Sequence, residues 1–163
     1  MLKAPSFKDE AAVKVFVQRF KQLGVALDRL EFRGPSSLSD MMAEYADVDI
    51  ALDPAPYNGG TTSLQAMWMG VPVLTIEGGH FVSRMGASFM QAAGLPEWVA
   101  KDAADFVRRA VALSQDRAAL LKLKIGMRER LLALPAWDID AYAQDLQAAV
   151  RKMWIASSLR SSQ

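Results

Sequence analysis

The hydrophobic pattern changes period along the chain, and the changes mark out its elements. Val13, Phe16, Val17 and Phe20 recur at helical spacing with Lys and Arg between them, and Gly24 stops the run. Leu30-Glu31-Phe32-Arg33 reads as a short strand ending at Gly34-Pro35. Ser36, Ser37 and Ser39 then offer caps for a helix through Met41, Met42 and Tyr45. Leu2, next to Lys3 and before Pro5, reads as the tail of a strand. From Val48 to Leu52 an apolar strand pattern enters a glycine-rich loop, Asp53 to Thr62, and a helix continues from Thr62 to Met69. Gly70 ends that helix, and Val71 to Ile76 reads as a second buried strand.

Beyond Ile76 the turn Glu77-Gly78-Gly79-His80 leads into a predicted helix from about Phe81 to Ala93, closed by Gly94 with Pro96 beyond it. Trp98 to Ala100 is a candidate last strand. From Asp102 the pattern is helical throughout: Phe106, Val107, Ala110 and Val111 form one stripe, Leu120, Leu121, Leu123 and Leu131 the next, and Pro135 stops it. Asp138 caps a final helix on which Ile139, Tyr142, Leu146, Val150, Met153 and Trp154 keep to one face. The polar tail from Ser157 to Gln163 is expected to fray.

Strand and helix alternating through the first hundred residues imply an α/β fold, a Rossmann-like parallel sheet flanked by helices, with a helical carboxyl-terminal extension. The expected organisation is one domain over 1–163: an α/β core at 1–100, helices at 101–156 and the tail at 157–163. In such sheets ligands sit beyond the carboxyl ends of the strands. The turns at Gly34 to Ser37, Asp53 to Thr62 and Glu77 to His80 all fall at such ends.

Composition narrows the partners. In 163 residues, 19 basic side chains against 18 acidic ones leave a net charge of +1, so no global field recruits nucleic acid or an anionic membrane. The absence of cysteine excludes disulfides, thiolate metal sites and a cysteine nucleophile, and fits a reducing, cytoplasmic setting. The longest apolar run, Ala66 to Ile76, is too short for a bilayer, which needs about 20 residues.

The chemistry concentrates in Pro56-Tyr57-Asn58-Gly59-Gly60-Thr61-Thr62. Glycines let a backbone approach a ligand, and amides at a helix start attract anions with the help of the helix dipole. Plainer readings exist for each residue. Thr62 with Gln65 fits a capping box, Asn58-Gly59 is a turn signal in any protein, and Tyr57 suits a rim as well as a base stack. His80, the lone histidine, reads as structural or solvated. Arg84 reads as a partner for Glu77. Asp47, Asp49 and Asp53 read as cap and turn residues rather than a metal site, and no metal is expected.

The segments Asp49 to Asp53, Pro56 to Thr62, Ala66 to Val73, Ser83-Arg84 with Ala87-Ser88, and Met153-Trp154 together resemble the carboxyl half of the O-linked N-acetylglucosamine transferases and the related SPINDLY proteins. The resemblance runs from about residue 10 to 155. It implies a glycosyltransferase B fold, of which this would be the donor-binding half. It also implies a UDP-GlcNAc or UDP donor site, a Ser or Thr acceptor on a protein, and no cofactor. By the resemblance, Thr61 and Thr62 hold the donor diphosphate. Tyr57, Asn58, Gly59 and Gly60 form the surrounding loop, and Ser36 lies on the rim. Gln65 stands where the family has an acidic residue for the ribose, and Met41 where a histidine lines the nucleoside pocket. A Gln and a Lys that grip the diphosphate, the catalytic amino-terminal domain and the acceptor-presenting repeats would lie upstream. No catalytic residue is therefore expected in this chain, which should be inactive alone. Two alternatives stand beside this reading: a GDP-fucose-dependent domain, and a non-catalytic module that associates with partners or with itself through a truncated sheet edge.

Overall fold

The computed structural model describes residues 1–160 and divides into two compact units, Met1–Val48 and Asp49–Gln163. In the first, β1 (Leu2–Lys3) pairs in parallel with β2 (Phe32–Arg33), Leu2 opposite Phe32, so the lone Leu2 does belong to a strand. Between them lies α1 (Glu10–Gln22), whose first turn is capped by Asp9 accepting from the Ala11 amide at 2.8 Å. Val13, Phe16, Val17 and Phe20 of this helix are half-buried. Phe7 stands edge-on to both Phe16 and Phe32, with ring centroids 5.1 Å apart in each pair. Ser37 caps α2 (Leu38–Glu44) through the Asp40 amide at 3.1 Å. Two ion pairs tie the strands to the end of α2 and the turn beyond it: Lys3 to Glu44 at 2.8 Å and Arg33 to Asp47 at 2.8 Å.

The second unit holds β3 (Ala51–Asp53), α3 (Thr61–Trp68), β4 (Val73–Ile76), α4 (Met85–Ala92), β5 (Val99–Ala100), α5 (Ala103–Gln115), α6 (Arg117–Leu132) and α7 (Ile139–Arg160). Its sheet has the order β3-β4-β5 and is parallel throughout. Central β4 is buried along Val73, Leu74 and Thr75, as its apolar sequence requires. Met67, Val71, Leu74, Met90, Leu95, Met127 and Leu131 of this unit are fully buried, each worth about 1.5–3 kcal/mol by transfer from water. Gly70, at φ 85°, ends α3 where it meets α6: a Cβ there would lie 2.8 Å from the Lys124 carbonyl oxygen.

Several boundaries differ from the sequence reading: β2, β4 and β5, read from Leu30, Val71 and Trp98, start at Phe32, Val73 and Val99. β3 starts at Ala51 rather than Val48, because Tyr45–Asp47 winds into a 3-10 turn closed by the Val48 amide on the Tyr45 carbonyl at 3.1 Å. The helix expected from about Phe81 to Ala93 is instead a 3-10 turn, Phe81–Ser83, succeeded by α4. The buried Ser83 hydroxyl accepts from the His80 amide and donates to the His80 carbonyl, which holds the turn in its tighter form. Of the tail expected to fray, residues 161–163 lie outside the described residues, while α7 extends to Arg160. Among the described residues no helix is long and apolar enough to cross a membrane.

Candidate functional site

The loop between β3 and α3 is fixed from its base by Asp53. The side chain, 7% exposed, ends β3 beside Thr75 of β4. Its Oδ1 accepts the Gly59 amide at 2.5 Å and its Oδ2 accepts the Thr75 hydroxyl at 2.9 Å. Burial pushes the Asp53 carboxyl above its ordinary value, and these two donors oppose that shift. Asn58 is fully buried; its amide N–H donates to the Val82 carbonyl at 3.0 Å and its Nδ2 reaches the Asp53 carbonyl at 3.5 Å. Its Oδ1 has no hydrogen-bond partner among the described residues. The Ala55-Pro56 peptide is cis.

Gly59 and Gly86 are among the glycines required by space. A Cβ on Gly59 would overlap Ser63 Oγ and fall 2.9 Å from Thr62 Oγ1. On Gly86, in α4, it would overlap both Thr75 Oγ1 and Asp53 Oδ2. Helix α4 thus presses its backbone onto the Asp53–Thr75 pair, which only a residue without a side chain allows.

At the start of α3, Gly60 occupies the capping position and Thr61 and Thr62 are exposed. The Ser63 and Leu64 amides turn back to the Gly60 carbonyl, at 3.1 and 3.3 Å, and the Gly59 amide is held by Asp53. Gly60 and Thr61 are left as amides without an acceptor among the described residues, at the positive end of the helix dipole. The capping box read from Thr62 and Gln65 is not formed. Gly60 rather than Thr62 is the cap, so Thr62 lies inside the first turn and Gln65 further along the helix.

Tyr57 to Gln65 are thus brought together on one loop and helix start. Tyr57 is 76% exposed at its edge, Gly60 is half-buried, and Asn58 is an anchor inside the loop. Ser36 and Met41 belong to the first unit. Ser36 is exposed and accepts from Lys3 Nζ at 2.8 Å, and Met41 is half-buried in α2. Arg84 does not pair with Glu77: its Nε donates to the Gly78 carbonyl at 3.1 Å, which ties it to the same turn that Ser83 closes. Among the described residues no group of three or more His, Cys, Asp or Glu is placed to hold a metal ion.

The family model described as glycosyl transferase family 41 matches residues 2–146. This chain belongs to that family. It is 35% identical over 155 residues to the probable UDP-N-acetylglucosamine–peptide N-acetylglucosaminyltransferase SPINDLY of Eustoma exaltatum subsp. russellianum, covering 94% of this chain and 17% of that one. The Arabidopsis thaliana protein of the same description is 32% identical over 156 residues, with the same coverage. A solved O-GlcNAc transferase mutant of Thermobaculum terrenum superposes with a TM-score of 0.87 at 36% identity, over 94% of this chain and 29% of that one. The chain therefore spans about 17% of the length of these curated relatives. The family resemblance and the fold class read from the sequence both hold: parallel sheets flanked by helices, as in a glycosyl transferase family 41 structure.

Sequence reasoning missed the support beneath this glycosyl transferase family 41 loop. Asp53 reads from sequence as a turn residue, yet it is the carboxylate on which loop and sheet are both fastened. Two signals mark it. Thr75 is the lone polar residue in the run Val71 to Ile76, and Gly86 interrupts an otherwise helical pattern, the mark of a close backbone approach.

Proposed function

We propose that this chain is the nucleotide-sugar donor-binding domain of a protein O-glycosyltransferase that moves GlcNAc from UDP-GlcNAc to a Ser or Thr hydroxyl. The observation that carries the reading is the start of α3, where the Gly60 and Thr61 amides and two exposed threonines meet beside a loop locked by Asp53. A diphosphate seated there gains hydrogen bonds and the helix dipole without a charged side chain. The same groups stabilise the charge that develops on the leaving diphosphate, which is this domain's contribution to transfer. Gln65, further along α3, offers an amide to the ribose diol, and Tyr57 offers a ring to the base. No cofactor or metal enters this scheme. This chain spans about 17% of the length of its curated relatives, and the reading covers its part in donor binding alone, in a cytoplasmic setting.

Thermal-shift and calorimetric titration of the 163-residue chain with UDP, UDP-GlcNAc and GDP tests the reading. UDP at a hundredfold excess over its Kd should stabilise the second unit by about 2.7 kcal/mol. Thr61→Ala with Thr62→Ala, both at exposed positions, should leave the fold intact and weaken UDP at least tenfold. Binding of GDP in preference to UDP moves the assignment to a guanosine diphosphate sugar. No response to any of the three overturns the donor-domain reading.

A further inference from the structure

The start of α4 runs against the loop that leads into α3, and two contacts set their register. The Asn58 amide donates to the Val82 carbonyl at 3.0 Å, so the stretches entering the two helices lie side by side. Asp53 touches both: its Oδ1 holds the Gly59 amide, and its Oδ2 lies where a Cβ on Gly86 would fall. With Gly59 and Gly86 facing one carboxylate, the next residue of the loop meets the preceding residue of the helix. The methyl of Met85 stands 3.3 Å from the point where a Cβ on Gly60 would lie. The adjoining residues aside, no other heavy atom of the described residues comes within 4 Å of that point.

The place matters because the Gly60 amide is one of the two open amides at the start of α3, and the space beside it, empty of any side chain at 60, is filled from across the loop. Met85 is half-buried, so it reaches this contact from the surface. Its thioether is unbranched, polarizable and free to rotate, and it adapts to a neighbour at little cost. The helix that carries it does not adapt: Gly86 is pressed onto Asp53 and Thr75. Met85 is therefore a movable end on a fixed support. An apolar wall beside open amides displaces water, and in the lower local dielectric each hydrogen bond from those amides to an anion is stronger.

Building on the donor-binding reading of the α3 start, we infer that Met85 is a wall of the donor site: its methyl packs against the bound diphosphate beside Gly60, and positions 60 and 85 share one space whose filling sets the fit of the donor. A larger residue at 60 displaces the Met85 methyl, and a charge at 85 acts on the diphosphate directly.

Methyl NMR of the full chain, labelled with carbon-13 at its nine methionines, tests this. The Met85 signal is assigned by its loss in Met85→Leu. Without nucleotide, Gly60→Ala should shift it, because the added methyl meets Met85. On titration of wild type with UDP it should shift and saturate together with the Gly60 and Thr61 amide signals, while that of Met127, fully buried on α6, stays in place. Calorimetry supplies the second measurement. Met85→Lys should tighten UDP at least threefold and Met85→Glu weaken it at least tenfold, both effects shrinking as salt is raised, with the uncharged Met85→Gln within about threefold of wild type. A merely structural Met85 would give losses in all three. The failures are distinguishable. If UDP moves the two amides but not the Met85 methyl, if Gly60→Ala leaves that methyl signal unmoved, or if Met85→Lys and Met85→Glu act alike, the inference is overturned and the donor-binding reading stands. If UDP moves neither the amides nor the methyl, both fall.

Discussion

Replacing Asp53 by alanine tests the architecture of the loop directly. The change leaves the Gly59 N–H and the buried Thr75 hydroxyl without their acceptor, at about 1–3 kcal/mol for each donor. Against this stands the relief of no longer burying a carboxyl that the protein holds above its ordinary value. The net expectation is a loss of about 2–4 kcal/mol, or roughly 5–12 °C in melting temperature for a chain of this size. Asp53→Asn keeps an acceptor for Gly59 and should cost no more than about 1 kcal/mol near neutral pH. All four tryptophans, Trp68, Trp98, Trp137 and Trp154, lie in the second unit, so urea unfolding monitored by their fluorescence reports the unit that contains Asp53. The pH dependence has a definite sign. A carboxyl whose folded pKa is raised takes up its proton more readily in the native state. Its stabilising contribution is therefore fully present below the unfolded value of 3.8 and is lost as pH rises through the folded pKa. Wild type should gain on Asp53→Asn as the pH falls toward 3.8. An Asp53→Ala variant as stable as wild type, or a wild type that loses ground to Asp53→Asn on acidification, would refute the picture of a buried carboxyl fastening loop to sheet.

Other sites give sharper or opposite responses. Gly86→Ala drives a methyl into the Asp53–Thr75 pair and should lower stability by about 2–4 kcal/mol in the same urea assay. Gly59→Ala meets the Ser63 and Thr62 hydroxyls instead; it should cost about 1–3 kcal/mol and abolish the UDP response, read by calorimetry. Asp105 behaves inversely to Asp53: the Lys101 amide and then the Arg109 guanidinium hold its carboxyl below the ordinary value, against burial. Its contribution is present above 3.8 and fades as pH falls through the lowered folded pKa, so Asp105→Asn should narrow the gap to wild type in strong acid. Arg128 sits 4.8 Å from the Trp68 ring centroid and donates twice to the Trp68 carbonyl, so Arg128→Ala should shift tryptophan emission and cost about 1–2 kcal/mol.

What the sequence made legible was whatever a local rule dictates. Gly70, Gly24 and Gly94 end helices because each sits at a positive φ, and the Ser37, Asp102 and Asp138 caps were identifiable because a short polar side chain before an apolar periodic run has one common use. The run from Val71 to Ile76 was legible as a buried strand because it is apolar but for Thr75, although the strand takes only Val73–Ile76. What stayed hidden depends on partners far apart in the chain. No spacing rule joins Asp53 to Thr75, 22 residues on, or places Gly86 against both. The Thr62–Gln65 spacing satisfied a capping rule equally well, yet the chain caps this helix with Gly60. That choice bears on function. A threonine used as a cap would have turned its hydroxyl onto the helix's own amide, whereas a glycine cap leaves Thr61 and Thr62 exposed and the Gly60 and Thr61 amides open. On the proposed reading, fixing the loop from below through the Asp53 carboxylate is what leaves the Gly60 and Thr61 amides open to an anion.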